Sequence, residues 1–559
     1  MRMRYLLVAA ALLVSAASCC PKGEVRPTRN LIVMISDGTS EGVLAAARWY
    51  ERYMTGNPDF NLNMDPYICG LVQTFESDCP ITCSAPGMSA YMTGVRERQN
   101  NVSIYPIPHP GQDFWPTDSV RAGQPAATVL EAAKHLKGKS TGLVCTVEFP
   151  QATPAAASAH YPYRWSFNEI ALQQCCEGLD VVFGGSSYVL TDEMRGMIAE
   201  TGAVLLEDDV EAFRALSKGQ APQRVWAMFG EDYPAFEIDR DDSREPSLSE
   251  MTATAINLLN RNKKGFFLMV EGSKVDYAAH ANEPVTALTD FLEFDRAVKV
   301  AIDFARNEGN TTVIVSADHG NSGIQLGGGG LADYENTPLD SFFVGVRGVK
   351  ASYKKMVELL QGCRSSEIAS VFQEWTGISL TPSELADIKR YMKVDESDYM
   401  QVSNSWSLMR VVSGIYRSRS HITTVGGDHT GEDVFLGVYN PRGQRPAGVI
   451  SNVQLNEYMC RVLGLRGGHD ALVELTDELF APQDKVFWGY DCSIETGGEV
   501  PVLVVKGASA ELRIPAYHNV VYRSLADGKA DSLRTKAPTY YDPERGRFYL
   551  DRSLAELAR

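Results

Sequence analysis

Three apolar runs constrain the fold of this chain most. Each leads to an acidic residue, and a glycine follows that residue directly or after one histidine. They cover residues 30–36, 265–270 and 311–316, and are followed by Asp37-Gly38, Glu271-Gly272 and Asp318-His319-Gly320. Runs that are apolar on both faces are typical of buried strands in a largely parallel sheet. Ligands of open α/β sheets bind beyond the carboxyl ends of the strands, so the three ends point polar groups at one crevice.

Helical patterns lie between these runs. Apolar residues recur at helical spacing in residues 249–260. Thr381-Pro382-Ser383-Glu384 is a capping box with proline at the first helical position, and predicts a helix through Tyr391. The predicted fold class is therefore α/β, with a central, largely parallel β-sheet flanked by helices on both faces.

The length of 559 residues fits one large α/β domain with insertions as well as three or four domains. We interpret residues 29–470 as the main domain and 320–428 as a helical and loop insertion within it. Short β-like runs indicate a small β-rich C-terminal appendage at 471–559.

The N-terminus is predicted to be a signal peptide spanning residues 1–18. A basic start precedes an apolar run that is too short to span a bilayer. The end of this segment, Ala16-Ala17-Ser18-Cys19, resembles a bacterial lipoprotein signal, and plain secretion is the alternative. We therefore expect export to the periplasm, outer membrane or cell surface, with membrane contact only through a lipid anchor at Cys19.

Charge and cysteine content exclude some classes of protein. The net charge is −17, so nucleic acid is not an expected partner, and an anionic substrate requires metal ions or a placed arginine. Beyond the signal segment the cysteines are odd in number and form no CxxC pair. A zinc–thiolate site is therefore not expected.

Three histidines lie in acidic or glycine-rich surroundings, namely His280, His319 and His429. Asp276 precedes His280 by four residues, so one helical turn can direct both side chains at a single ion. Asp318 is adjacent to His319 after a strand. The set provides nitrogen and oxygen ligands sufficient for two zinc ions.

The order of these motifs from about residue 29 to 465 resembles the alkaline phosphatase family. The similar segments are 30–50, 81–94, 151–156, 180–185 and 265–280. The resemblance implies two zinc ions, one magnesium ion and a phosphoserine intermediate in the hydrolysis of small phosphate monoesters. It also implies a homodimer.

The resemblance also assigns roles to residues. Ser84 is the implied nucleophile and Arg164 the implied phosphate clamp. The implied metal ligands are Asp276, His280 and His429 for the first zinc, Asp318 and His319 for the second, Thr153 and Glu271 for magnesium, and Asp37 as a bridge between zinc and magnesium. Cys83, Gln151 and Tyr277 differ from the residues usual in the family, and Pro86 and Met88 replace small residues.

Other interpretations stay open at this point. Ser84 could instead cap a helix, Arg164 could be a surface residue beside Trp165, and Thr153-Pro154 could simply begin a helix. Ser84-Ala85-Pro86 has the spacing of a sulfatase motif, although Met88 stands where that motif has arginine. A phosphodiesterase or phosphonate hydrolase, and a non-catalytic phosphate-binding lipoprotein, are the remaining alternatives.

Overall fold

The computed structural model describes residues 25–557, except 114, 186–187, 219–220, 231 and 329–332. The predicted signal peptide and Cys19 lie outside the described residues. No helix in the described part of the chain has the length and apolar character needed to cross a membrane.

The strands are numbered in chain order. The first eight are β1 Asn30–Ser36, β2 Ile68–Gln73, β3 Ser140–Glu148, β4 Val181–Gly185, β5 Ala203–Glu207, β6 Arg224–Met228, β7 Phe266–Gly272 and β8 Thr311–Ser316. The next eight are β9 Gly320–Asn321, β10 Gln325–Leu326, β11 Met392–Val394, β12 Met400–Val402, β13 Ile422–Thr423, β14 His429–Thr430, β15 Val434–Tyr439 and β16 Gly448–Ser451. The C-terminal strands are β17 Ala481–Pro482, β18 Asp491–Glu495, β19 Val502–Lys506, β20 Ala510–Pro515, β21 Val520–Leu525, β22 Ala530–Arg534, β23 Tyr540–Asp542 and β24 Arg547–Leu550.

The α-helices are numbered in the same way. The first nine are α1 Glu41–Thr55, α2 Ser84–Thr93, α3 Val129–His135, α4 Ala152–Ser158, α5 Phe167–Glu177, α6 Asp192–Glu200, α7 Val210–Ala215, α8 Leu248–Leu259 and α9 Lys274–His280. The others are α10 Pro284–Glu308, α11 Leu339–Phe343, α12 Tyr353–Gln361, α13 Ile368–Thr376, α14 Pro382–Arg390, α15 Ser405–Ser418, α16 Asn452–Val462, α17 Asp470–Leu479 and α18 Gln483–Val486.

A ten-stranded sheet forms the centre of the molecule, in the order β16-β2-β15-β8-β1-β7-β3-β4-β6-β5. Only β15 runs against its neighbours β2 and β8, and the remaining pairs are parallel. Every residue of β1, β7 and β8 is buried, so both faces of the sheet are covered at its centre. The predicted α/β class with a largely parallel sheet is confirmed.

Local predictions also hold. The three apolar runs are the strands β1, β7 and β8, and the helical pattern at 249–260 is α8. Thr381 and Glu384 form the predicted capping box at the start of α14, with Pro382 at the first helical position. Prediction and structure agree in these segments because the hydrophobic period and the cap residues determine secondary structure locally.

Residues 320–428 contain helices α11 to α15 and the β11–β12 hairpin. The two ends of this segment lie together, since β9 pairs with β14 and His429 is opposite Asn321. The pairing places His429 beside the end of β8, although more than a hundred residues of sequence lie between them.

The C-terminal segment begins with helices α17 and α18 and is β-rich from residue 491 onward. The strands β18 to β22 form an antiparallel sheet, and β17, β24 and β23 form a second one. Hydrogen bonds join this segment to the rest of the molecule, for example from Gln124 Nε2 to the carbonyl of Phe480 at 2.9 Å.

Candidate metal centre and active site

Four neighbouring strands deliver the candidate ligands to one edge of the sheet. The order β8-β1-β7-β3 places Asp318, Asp37, Glu271 and Thr153 at or just beyond the carboxyl ends of successive strands. Ile35 is paired with Glu271 on one side and with Ser316 on the other, so the strand ends are level. The crevice predicted from the three apolar runs is therefore formed.

The first group of ligands, here called the outer cluster, consists of Asp276, His280 and His429. Helix α9 places Asp276 and His280 one turn apart, and His280 Nε2 lies 3.4 Å from Asp276 Oδ2. His429 Nε2 is 3.1 Å from His280 Nε2 and 3.7 Å from Asp276 Oδ1. Three donor atoms from two distant segments therefore face one point.

Backbone carbonyls fix the orientation of both outer imidazoles. His280 Nδ1–H donates to the carbonyl of Gly427 at 2.8 Å, and His429 Nδ1–H donates to that of Thr82 at 2.9 Å. Because a carbonyl only accepts, each Nδ1 carries the proton and each Nε2 offers its lone pair to the cluster. This tautomer is the one required of a metal ligand.

The second group, here called the inner cluster, consists of Asp37, Asp318 and His319. His319 Nε2 is 3.4 Å from Asp37 Oδ1 and 3.3 Å from Asp318 Oδ2. Both carboxylate oxygens are buried without a hydrogen-bond partner. Asp276 also lies close, because one donor atom each of Asp37, Asp276 and His319 falls within 4.8 Å of the others. The two clusters therefore adjoin at Asp276, whereas the sequence resemblance assigns Asp276 to the outer one alone.

A third group contains only oxygen ligands. Glu271 is buried, and Asp37 and Thr153 are among the side chains that bear on its pKa. Thr153 Oγ1 and Glu271 Oε2 are buried without hydrogen-bond partners. Oxygen-only sites of this kind suit magnesium. Thr153 also lies in the first turn of α4, so the open interpretation of Thr153-Pro154 as a helix start holds as well.

The electrostatics of the inner region favour cations. Burial, together with the charge of Asp318, raises the pKa of Glu271 to about 8. Burial, together with the charge of Asp276, raises that of Asp318 to about 6. The same effects raise the pKa of Asp37 well above its usual value. Carboxylates packed so closely destabilise one another unless cations lie between them, so the residues present fit metal ions.

The pKa values of the three imidazoles shift in different directions. Burial works against the charged form of His280, but the hydrogen bond and charge of Asp276 outweigh it and raise its pKa to about 9. Burial lowers the pKa of both His319 and His429 to about 4. In the absence of cations the raised pKa of His280 favours its charged form, in which Nε2–H can donate to His429 Nε2 at 3.1 Å, whereas the neutral form keeps the lone pair for a metal.

Ser84 begins helix α2 and lies against the inner cluster. Its side chain is 2 % exposed, and its Oγ is 3.2 Å from His319 Nε2. The helix N-cap is Cys83, which contradicts the alternative that Ser84 is there to cap the helix. The hydroxyl is therefore free to act at the centre, near the positive end of the helix dipole.

Arg164 is half-buried and is held by neutral partners. Its Nη2 donates to Gln151 Oε1 at 3.2 Å, and its guanidinium lies 4.8 Å from the ring centroid of Trp165. Gln151 Nε2 in turn donates to the hydroxyl of Tyr277 at 3.2 Å. Gln151 and Tyr277, two residues that differ from those usual in the family the sequence resembles, thus contact each other, and Gln151 also holds Arg164. The guanidinium Nε is buried without a partner, which leaves a donor for an anion.

Sequence reasoning missed two residues that organise the centre. Gly38 donates its N–H to Asp318 Oδ1 at 3.1 Å, and Asn321 donates from Nδ2 to Asp276 Oδ1 at 2.7 Å. Gly38 has φ +61, and a methyl group there would lie 2.2 Å from Asp276 Oδ1. The only available signal for Gly38 was its place directly after Asp37 at a strand end.

A serine at a helix N-terminus beside clustered nitrogen and oxygen ligands is the arrangement of a metal-assisted hydrolase. Comparisons with known proteins agree. The family model described as alkaline phosphatase matches residues 28–465. Alkaline phosphatase 4 of Bacillus subtilis is 31 % identical over 450 residues, which cover 78 % of this chain and 88 % of that protein.

Alkaline phosphatase 3 of Bacillus subtilis is 30 % identical, and the match covers 79 % of this chain and 90 % of that protein. Among solved structures, the alkaline phosphatase of Thermus thermophilus superposes with a TM-score of 0.66 at 24 % identity, covering 81 % of this chain and 98 % of that one. The chain belongs to the alkaline phosphatase family. It is accordingly an enzyme of the phosphoric monoester hydrolase class.

Proposed function

We propose that the enzyme hydrolyses small phosphate monoesters to an alcohol and inorganic phosphate through a phosphoserine on Ser84. We further propose that it does so with two zinc ions and one magnesium ion. The observation that supports this most directly is the 3.2 Å contact between Ser84 Oγ and His319 Nε2, at the junction of the two ligand clusters. When bound, the cations supply Lewis acidity and neutralise the charge of the phosphoryl group.

The ligands divide by chemistry. The outer cluster and the inner cluster each combine imidazole nitrogen with carboxylate oxygen, the ligand types that zinc prefers. Asp37, Thr153 and Glu271 provide only oxygen, which suits magnesium. Asp37 belongs to both the inner cluster and the oxygen-only group, so its two carboxylate oxygens can serve neighbouring ions.

Ser84 performs the covalent step. Its Oγ loses its proton and attacks phosphorus, while the bond from phosphorus to the leaving oxygen breaks and that oxygen takes up a proton. Water then attacks phosphorus, which releases inorganic phosphate and restores the Ser84 hydroxyl. Burial of Ser84 limits the water that can compete in the first step.

Arg164 orients the phosphoryl group. Its guanidinium can donate two parallel hydrogen bonds to two phosphoryl oxygens, which a lysine could not do. Gln151 holds one Nη in place without neutralising the charge, because an amide oxygen is uncharged. Gln151 therefore leaves the positive charge of Arg164 for the substrate.

The test is a Ser84→Ala variant assayed with an aryl phosphate. We expect a loss of at least about a thousandfold in kcat, because removal of a covalent nucleophile costs orders of magnitude. Zinc content should stay that of the wild type, measured by elemental analysis. Acid quenching of the wild-type reaction should trap a phosphate on the peptide that contains Ser84.

A substrate panel separates the alternatives. Aryl phosphate, bis-aryl phosphate and aryl sulfate are compared at equal concentration. Faster turnover of the diester or the sulfate than of the monoester would contradict the proposal, and so would full activity of Ser84→Ala. No turnover of any substrate would favour a phosphate-binding protein without catalysis.

We also propose that the enzyme works outside the cytoplasm, held by a lipid on Cys19, and that it forms a homodimer. These proposals rest on the N-terminal sequence and on the family resemblance. Phosphate scavenging is the role that an exported enzyme of broad specificity would serve.

A further inference from the structure

Solvent reaches the candidate centre from the side of the outer cluster. The side chain of His280 is 34 % exposed and that of His429 is 17 % exposed, whereas those of Asp318 and His319 are fully buried. Ser84 contacts the buried side. In the proposed reaction attack and departure are in line, so a leaving group opposite Ser84 Oγ would extend toward His280 and His429.

A cavity of about 280 Å³ adjoins the outer cluster on this side. It is lined by Ala281, Asn282, Arg410, Arg417, Gly427 and Asp428. Its lining is next to the outer cluster in the chain, because Ala281 directly follows His280 and Asp428 directly precedes His429. The carbonyl of Gly427 also accepts the Nδ1–H of His280 at 2.8 Å.

Two arginines of helix α15 give this cavity a positive charge. Arg410 and Arg417 are seven residues apart, so two helical turns place them on one side of the helix. Arg417 donates to Thr424 Oγ1 at 3.2 Å, and within the described part of the chain neither arginine is paired with a carboxylate. Arg419, just beyond the same helix, is by contrast paired with Glu384 at 2.8 Å.

The balance of charge in the cavity favours an anion. The lining contains two guanidinium groups and one carboxylate, that of Asp428, so it carries a net positive charge. The chain as a whole carries −17 and repels anionic substrates at long range. Two unpaired arginines next to the outer cluster are best accounted for by a ligand with its own negative charge, since guanidinium groups bind phosphate in forked pairs.

Building on the proposed function, we propose that Arg410 and Arg417 bind a second phosphate carried by the leaving group. The favoured substrates are then compounds with two or more phosphates, such as sugar bisphosphates, rather than monoesters with an uncharged leaving group. The helix that carries the arginines belongs to the segment 320–428, and this gives the insertion a role in substrate selection.

The experiment compares fructose 1,6-bisphosphate with fructose 6-phosphate, measured as release of inorganic phosphate. We expect the ratio of their kcat/KM values to fall about tenfold in the double variant R410Q/R417Q, chiefly through a higher KM for the bisphosphate. R410K/R417K keeps the charges without the forked geometry and should give an intermediate ratio. R466Q, which removes an exposed arginine outside the cavity, is the matched control and should keep the wild-type ratio.

Two results would overturn the inference: a ratio in R410Q/R417Q equal to that of the wild type, or an equal loss for both substrates. An equal loss would mean that the arginines only attract anions at long range. Failure of the proposed function is distinguishable, because the wild-type enzyme would then release no phosphate from fructose 6-phosphate either. Melting temperatures of all variants show whether each is folded.

Discussion

At the scale of single residues, Gly38 connects the two ligand clusters. Its N–H donates to Asp318, and the space where a side chain would lie is occupied by the carboxylate of Asp276. Its backbone also adopts the left-handed conformation, with φ +61. Glycine is required here for two separate reasons, conformation and close approach.

We predict that Gly38→Ala loses zinc and most of its activity. The new methyl group would lie 2.2 Å from Asp276 Oδ1, so Asp276 must move away from its position between the clusters. Elemental analysis and kcat measure the two effects. Gly56→Ala is the control, because Gly56 has a similar φ of +70 but nothing within 4 Å of the added atom.

The control variant should lose about 1 kcal/mol of stability from the left-handed backbone and keep its metal content. Equal zinc content in Gly38→Ala and the wild type would show that Asp276 is not held by this contact.

The parts of the site that depend on local sequence spacing were predictable, and those that depend on long-range pairing were not. Asp276 and His280 share a helical turn, and Asp318 and His319 share a strand end, so local spacing predicted their proximity. Asn321 and the carbonyls of Thr82 and Gly427 could not be predicted, because their roles depend on the pairing of β9 with β14 and on loops that have no periodic pattern.

At the scale of secondary-structure elements, the ends of β8, β1, β7 and β3 concentrate acidic groups in a dry crevice. The parallel arrangement makes this concentration possible, since it brings all carboxyl ends to one edge. Repulsion among these acidic groups destabilises the metal-free protein, in which burial and the charge of Asp318 raise the pKa of Glu271 to about 8.

We predict that the metal-free enzyme becomes less stable as the pH rises from 6.5 to 9. Glu271 has a pKa of about 4.5 when unfolded and about 8 when folded, so folding is penalised increasingly up to pH 8. His280 has a pKa raised from 6.5 to about 9, and the stability that it contributes when charged is lost over the same range. His319 and His429, whose pKa values are lowered to about 4, act in the opposite direction only below pH 6.5.

Melting temperatures in chelator at pH 6.5 and pH 9 test this directly. With zinc and magnesium present the trend should reverse, because protons compete with cations for the same atoms. Glu271→Gln should reduce the pH dependence of the metal-free form. A melting temperature in chelator that rises with pH would contradict the prediction.

The elements themselves were predicted unevenly. Strands β1, β7 and β8 were predictable because burial on both faces leaves an uninterrupted apolar run. The antiparallel direction of β15 was not, since β15 packs between β8 and β2 and its own sequence carries no mark of direction. The two-residue strands β9 and β14 are too short for any periodicity.

At the scale of the whole molecule, the C-terminal segment is packed into the rest of the protein. Helix α17 contacts α3 and buries Leu472, Leu475 and Leu479. Thr476 Oγ1 accepts the N–H of Ala127 at 2.8 Å in a buried position. The match to the family model ends at residue 465, so this packing lies beyond the matched part of the chain.

We predict that a chain ending at residue 469 fails to fold stably. Exposure of the surface that the three leucines cover costs roughly 1.5–3 kcal/mol for each, which together approaches the whole stability of a typical domain, about 5–15 kcal/mol. Solubility and melting temperature of the truncated and full-length proteins measure the effect. A truncated protein with unchanged melting temperature would show that the C-terminal segment is an independent unit.

The pairing of β9 with β14 also sets the time at which the enzyme can acquire its cations. During synthesis, Asp276 and His280 leave the ribosome about 150 residues ahead of His429, and an incomplete chain offers the outer position only two of its three ligands. With the proposed ligand set, binding of a metal at the outer position must therefore wait until β9 has paired with β14. For an enzyme exported as proposed above, the ions of the compartment where the last quarter of the chain folds would then decide which metal enters.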